Sequence, residues 1–138
     1  MAGSPHEIVN PPQLLPPVGF SHAVVSGPGR TVHLGGQTGH RRDGSLPHGL
    51  LAQFDQAAAN LVTALGAAGA RPEHLVSIQV FVTDAEAYRA DLRALGTTYQ
   101  RHLGRHYPAM ALLEVSRLFD ADAMVELVAV AVVPDGHG

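Results

Sequence analysis

The chain has 138 residues, which bounds it to one domain with room for a single sizeable core. Hydrophobic residues make up 46% and charged residues only 15%, so little polar surface is left and burial in an oligomer is expected. A net charge of −3, with no Lys/Arg cluster beyond Arg41-Arg42, argues against nucleic-acid binding, and the absence of cysteine removes disulfides, thiol nucleophiles and thiolate metal sites together.

No apolar run reaches the roughly 18–20 residues needed to span a bilayer. Residues 1–17 carry Pro5, Pro11, Pro12, Pro16 and Pro17 and do not read as a signal peptide. The expected compartment is the cytoplasm, with no membrane partner. This proline-rich stretch predicts an extended lead-in, with disorder allowed before Glu7, and residues 18–134 form the single expected domain.

Residues 20–26 and 31–37 are strand candidates. The turn composition Gly27-Pro28-Gly29 between them predicts a hairpin. Leu51, Phe54, Ala58, Leu61, Val62 and Leu65 then recur at helical spacing, and Gly66, Gly69 and Pro72 end the helix. From 76 to 83 the period returns to two, with Val76, Ile78, Val80 and Val82 on one side. Thr83 and Glu86 stand in capping-box spacing and open a second helix with the stripe Tyr88, Leu92, Leu95, Tyr99 and Leu103, ended by Gly104. Strands at 109–117 and 124–133 follow, joined by a polar turn at 119–122.

The order β-β-α-β-α-β-β predicts an α+β fold, a single sheet covered by two helices on one face. The strands are apolar on both faces, so the second face is expected to meet another subunit. Glu126 is the only charged residue in 124–133, a run so rich in Val and Ala that it reads as a strand buried on both sides. A carboxylate there is expected to be paired or edge-exposed. The alternative is a raised pKa suited to acid–base chemistry.

Five pieces lie in a telling order: Gly19-Phe20-Ser21-His22-Ala23, Leu34-Gly35-Gly36-Gln37, Val80-Phe81-Val82-Thr83-Asp84, Tyr107-Pro108-Ala109 and Val125-Glu126-Leu127. As an ordered set, from about Asn10 to Val133, they resemble the YjgF/RidA (Rid) family of small reactive-intermediate deaminases. The resemblance implies a chorismate-mutase-like fold assembled as a homotrimer, with ligand pockets between subunits and no cofactor. In its deaminating members an arginine directly after Pro-Ala clamps the substrate carboxylate, and a glutamate on the last strand activates the attacking water. A tyrosine in the first strand and a backbone N–H near the Gly-Gln pair complete the pocket.

Carried onto this chain, Glu126 matches the water-activating glutamate, and Gly36 and Gln37 match the backbone contact region. Phe20 stands where the tyrosine is usual, and Met110 stands where the arginine is expected. A charge-assisted bond to a partly buried partner is worth about 1.5–3 kcal/mol, so its loss weakens 2-imino acid binding by at least about tenfold. Arg117, seven residues on, is the nearest substitute cation, but strand parity puts it on the opposite face. Glu114 shares parity with Met110 and Leu112. It either lines a doubly acidic pocket with Glu126, favouring a neutral or cationic substrate, or bonds a neighbour at the rim.

The nine histidines show no metal pattern. His102 and His106 are separated by Gly104, and His22 and His33 read as strand histidines facing solvent. The expected function is a Rid-like hydrolase or deaminase of an imine, enamine or related small metabolite. Glu126 would act as general acid–base, Phe20, Met110 and Leu112 as an apolar wall, and Gly36 as a backbone donor. The alternatives are a non-catalytic trimeric module binding a small metabolite or partner, and a proton-transfer isomerase, dehydratase or cyclase using Glu114 and Glu126.

Overall fold

The helical stripe read from the sequence becomes the floor of the core. In the computed structural model, which describes residues 3–136, α1 (Leu50–Ala67) buries Phe54, Ala58, Leu61 and Leu65. Leu51 and Val62 pack at the margin of that cluster. Past the helix, Gly69 turns the chain at φ 82°, and the Ala70 N–H bonds back to the Leu65 carbonyl at 2.8 Å.

Beneath the helices lies one main sheet ordered β3-β7-β5-β6, built from β3 (Gly29–His33), β5 (Leu75–Val82), β6 (Ala109–Glu114) and β7 (Val125–Pro134). The two-residue β4 (Gln37–Thr38) pairs with β7 on the same edge as β3. β5 and β6 run parallel; the other pairs are antiparallel. Ile78, Val80 and Val82 of β5 face α1 and α3 (Leu92–Leu103), as the alternation predicts. A bulge between Leu75 and Ser77 gives the remaining core position to Leu75 rather than Val76.

The predicted hairpin does not form. β2 (Ala23–Val25) pairs with β1 (Glu7–Val9) in a separate ribbon, and β3 pairs instead with β7. The ten-residue β7 offers β3 a full ladder and lets Val32 pack on the core, a gain that β2, exposed along most of its length, cannot match. From residue 3 on, the proline-rich lead-in makes specific contacts with the turn before β5. Ser4 Oγ donates to the Glu73 carbonyl at 2.8 Å, and buried His6 bonds the His74 carbonyl at 3.0 Å.

The second helix is broken. α2 (Ala85–Ala90) and α3 meet at Asp91, and the cap is Asp84 rather than Thr83. Thr83 lies one residue too early: its N–H is still in the sheet, donating to the Met124 carbonyl at 3.2 Å, so the reciprocal bond of a capping box to Glu86 has no donor. The Asp84 carboxylate accepts from the Ala87 N–H at 3.0 Å. Asp84→Ala is therefore expected to cost about 0.5–1 kcal/mol, read as a lower urea midpoint with unchanged slope.

One buried amide sets the strand that matters most. Gln53 of α1 donates to the Pro47 and Asp122 carbonyls and accepts from the Met124 N–H at 2.8 Å, so α1 fixes where β7 begins.

Candidate functional site

From Val125 to Ala131, β7 alternates between buried and half-buried positions. Val125, Leu127, Ala129 and Ala131 lie in the core, whereas Glu126, Val128 and Val130 are half-buried on the side the helices do not cover. Glu126 is thus not a core carboxylate. It stands on the helix-free face, directly opposite Thr38 on one side and Phe81 on the other.

Gly36 closes against it. A Cβ built on Gly36 would lie 1.9 Å from Oε2 of Glu126, so the carboxylate occupies the space that the missing side chain leaves. Gln37, opposite Leu127, turns its Nε2 back to the Gly35 carbonyl at 3.2 Å. Gly36, Gln37 and Glu126 therefore form one group.

Beside this group runs a chain that sequence reading missed. The Thr38 hydroxyl meets His40 Nδ1 at 2.5 Å, and His40 Nε2 meets Asp120 Oδ2 at 3.0 Å. Asn60 of α1 donates to the carbonyls of Thr38 and His40. A hydrogen bond from the Asp122 N–H, and then the His40 ring, hold the Asp120 carboxyl below its usual range. The chain ties the loop after β4 to the loop before β7, on either side of Glu126. Nothing local marks it, because His40 and Asp120 are 80 residues apart.

Met110 and Leu112 face the other way. In the parallel register they sit beside Ile78 and Val80, which point into the core, whereas Ala111 and Leu113 share the face of Gln79 and Phe81. They line a cavity of about 560 Å³ between the sheet edge and α3, with Phe20 at its side and Tyr88, Leu92 and Tyr99 opposite. Phe20, Met110 and Leu112 thus form a second group on one cavity wall. The sheet lies between the two groups.

Glu114 joins neither. Its carboxylate accepts from the Ala85 N–H at 2.9 Å at the start of α2, and it is not in the lining that Met110 and Leu112 share. The doubly acidic pocket, and a proton-transfer pair made of Glu114 and Glu126 within one chain, have no geometric basis. Arg117 is exposed, donates to the Leu118 carbonyl at 3.3 Å, and lines neither of the two cavities described here. His102 bonds Asp55 while His106 bonds the Leu75 carbonyl, so the two do not converge. His22 bonds the Leu15 carbonyl, and His33 is exposed opposite Val130.

A second cavity, of about 610 Å³, adjoins the first through shared Gly19, Phe20 and Tyr107. Asn10, Ser21, Arg105 and His106 also line it. Desolvation by burial holds the His106 pKa below its usual value.

The profile of the family described as Endoribonuclease L-PSP matches residues 12–133. The chain belongs to the YjgF/Rid family. A Rid-family protein of unknown function, YyfB from Yersinia pestis, is 32% identical, with a TM-score of 0.83 over 93% of this chain and 98% of that one. RidA from the Antarctic bacterium Psychrobacter is 29% identical, with a TM-score of 0.67 over 83% and 88%. The YjgF gene product of E. coli is 27% identical, with a TM-score of 0.66 over 91% and 94%. Comparison with curated proteins finds no match. The Rid fold accounts for the mixed sheet with its helices on one face. Among the described residues no helix is long and apolar enough to cross a membrane.

Proposed function

We propose that this Rid-family chain hydrolyses an imine or enamine of a small metabolite, at a site shared between two copies in a homotrimer. The observation that carries the reading is the seating of the Glu126 carboxylate against Gly36, on the sheet face opposite Phe20, Met110 and Leu112. One chain cannot bring the two groups to one substrate, so the second copy supplies Gly36, Gln37 and Glu126 to the first copy's apolar wall. Apolar side chains exposed at the sheet edge support such a contact: Leu112 and Leu113 are each 42% exposed.

In this arrangement Glu126 takes a proton from water as its oxygen bonds to the C=N carbon, and delivers a proton to nitrogen. Transfer of the new hydroxyl's proton to nitrogen then breaks the C–N bond, releasing ammonia and leaving the carbonyl product. An enamine first takes a proton on carbon and gives one up from nitrogen to become the imine. The Gly36 backbone serves as a donor to the developing charge. The ligand is a small molecule rather than RNA, in keeping with the net charge of −3 and with cavity linings that hold few cations.

The test is complementation. Imino acids are generated in situ by an amino acid oxidase, and their decay is followed with and without protein. Met110→Trp, which fills the cavity, and Glu126→Gln, which removes the base, are each expected to be inactive. Refolded together in equal amounts they are expected to recover about a quarter of the wild-type rate, as random pairing across a cyclic interface dictates. No recovery from assembled mixed oligomers would rule out a shared site. A chain that binds such compounds yet never accelerates their hydrolysis would be a binding module instead.

A further inference from the structure

Met110 leaves the apolar cavity without a cation, but a cation stands beside it. Arg105 lies on the turn between α3 and β6, just after Gly104, and lines the second cavity. The two cavities share Gly19, Phe20 and Tyr107, so a ligand lying across these residues would reach from Arg105 to Met110.

The charges on these walls are one-sided. Neither lining includes an Asp or Glu. Arg105 is exposed, and among the described residues no hydrogen bond or ion pair engages its guanidinium, whereas Arg71, Arg89 and Arg101 are each paired with a carboxylate. His106, the other titratable base on the wall, bonds the Leu75 carbonyl through Nε2, and its burial disfavours the charged form. A free guanidinium beside an apolar cavity to which its own chain contributes no acid matches an amphipathic anion, with the Glu126 of a second copy left for the imine end. Asn10 and Ser21 line the same cavity as Arg105 and add polar groups beside it.

We propose that Arg105 is the anion clamp of this chain, holding the carboxylate of a substrate whose apolar body, of aromatic or branched-chain size, lies over Met110 and Leu112. The flexible thioether of Met110 suits such a body better than a guanidinium would, since it fills irregular apolar space without demanding a partner. The charge expected of the substrate is thereby reversed from the neutral or cationic one that Glu114 suggested, because Glu114 is engaged at α2. The assignment rests on the proposed function for the substrate's chemistry but not for its binding.

Calorimetric titration separates the two. The probes are phenylpyruvate and phenylacetone, which share an aromatic body and a ketone and differ in the carboxylate. The wild-type chain is expected to bind phenylpyruvate about tenfold more tightly at low salt, the advantage shrinking as salt is added. Arg105→Gln is expected to abolish that advantage while leaving phenylacetone binding unchanged. Arg30→Gln, the same charge change on exposed β3, is expected to preserve it. A preference that survives Arg105→Gln, that is lost in Arg30→Gln, or that is missing from the wild type overturns the assignment. Turnover is not read here, so a chain that discriminates the carboxylate but hydrolyses nothing retires the hydrolase and leaves the clamp standing.

Discussion

Glu126→Gln is expected to lower the rate of imine hydrolysis by about 10²–10⁴-fold, the usual contribution of a positioned acid–base group. The substitution keeps the volume and hydrogen-bonding reach of the side chain and removes only its ability to take and return a proton. Stability is expected to stay within about 0.5 kcal/mol of the wild type, because Glu126 lies on the helix-free face and carries no core packing. Ammonia release measured against matched thermal unfolding distinguishes the two effects. Full turnover in a folded Glu126→Gln protein would end the acid–base role. A parallel fall in melting temperature would mean that the carboxylate supports the sheet.

Much of the fold is legible in the sequence wherever periodicity is sustained. α1 and the alternation of β5 follow from apolar spacing, since their buried positions repeat over several turns or pleats. The pairing of the first strands is not legible. The turn residues at 27–29 favour a hairpin locally, but β3 gains more by lying along β7, a decision made 100 residues away in sequence. The cap at Asp84 is missed for a similar reason, because the Thr83 N–H is claimed by the sheet.

The candidate site divides in the same way. Glu126 is conspicuous as a lone charge in an apolar run, and Met110 and Leu112 share a strand parity that sets them beside Ile78 and Val80. What parity along one strand cannot tell is which face a residue takes relative to another strand; that depends on the register of β7 against β5 and of β5 against β6. The parity that joined Glu114 to Met110 holds in the register, with Glu114 beside Val82, but at the strand end the α2 backbone engages that carboxylate with an N–H. Arg105 escapes notice because it sits on a turn and acquires significance only from the cavity beside it.

Gly36→Ala is expected to reduce turnover nearly as far as Glu126→Gln, about 10²-fold or more, without unfolding the chain. The reason lies in what the new methyl would meet. At Gly36 the obstacle is the carboxylate tip of Glu126, 1.9 Å from the Cβ position, and a flexible side chain can swing away. At Gly29, by contrast, the Cβ would meet the Val133 carbonyl oxygen at 2.3 Å, where backbone must move and the β3–β7 ladder suffers. Gly36 has no positive φ, so alanine adopts its conformation without strain. The two alanine variants should therefore part company: Gly29→Ala lowers the melting temperature, and Gly36→Ala keeps it while misplacing the base. Since an error of about 1 Å in a reacting group can cost 10²-fold in rate, a displaced Glu126 is nearly as damaging as an absent one. Equal melting temperatures with equal rates in wild type and Gly36→Ala would show that the carboxylate need not rest where Gly36 allows it.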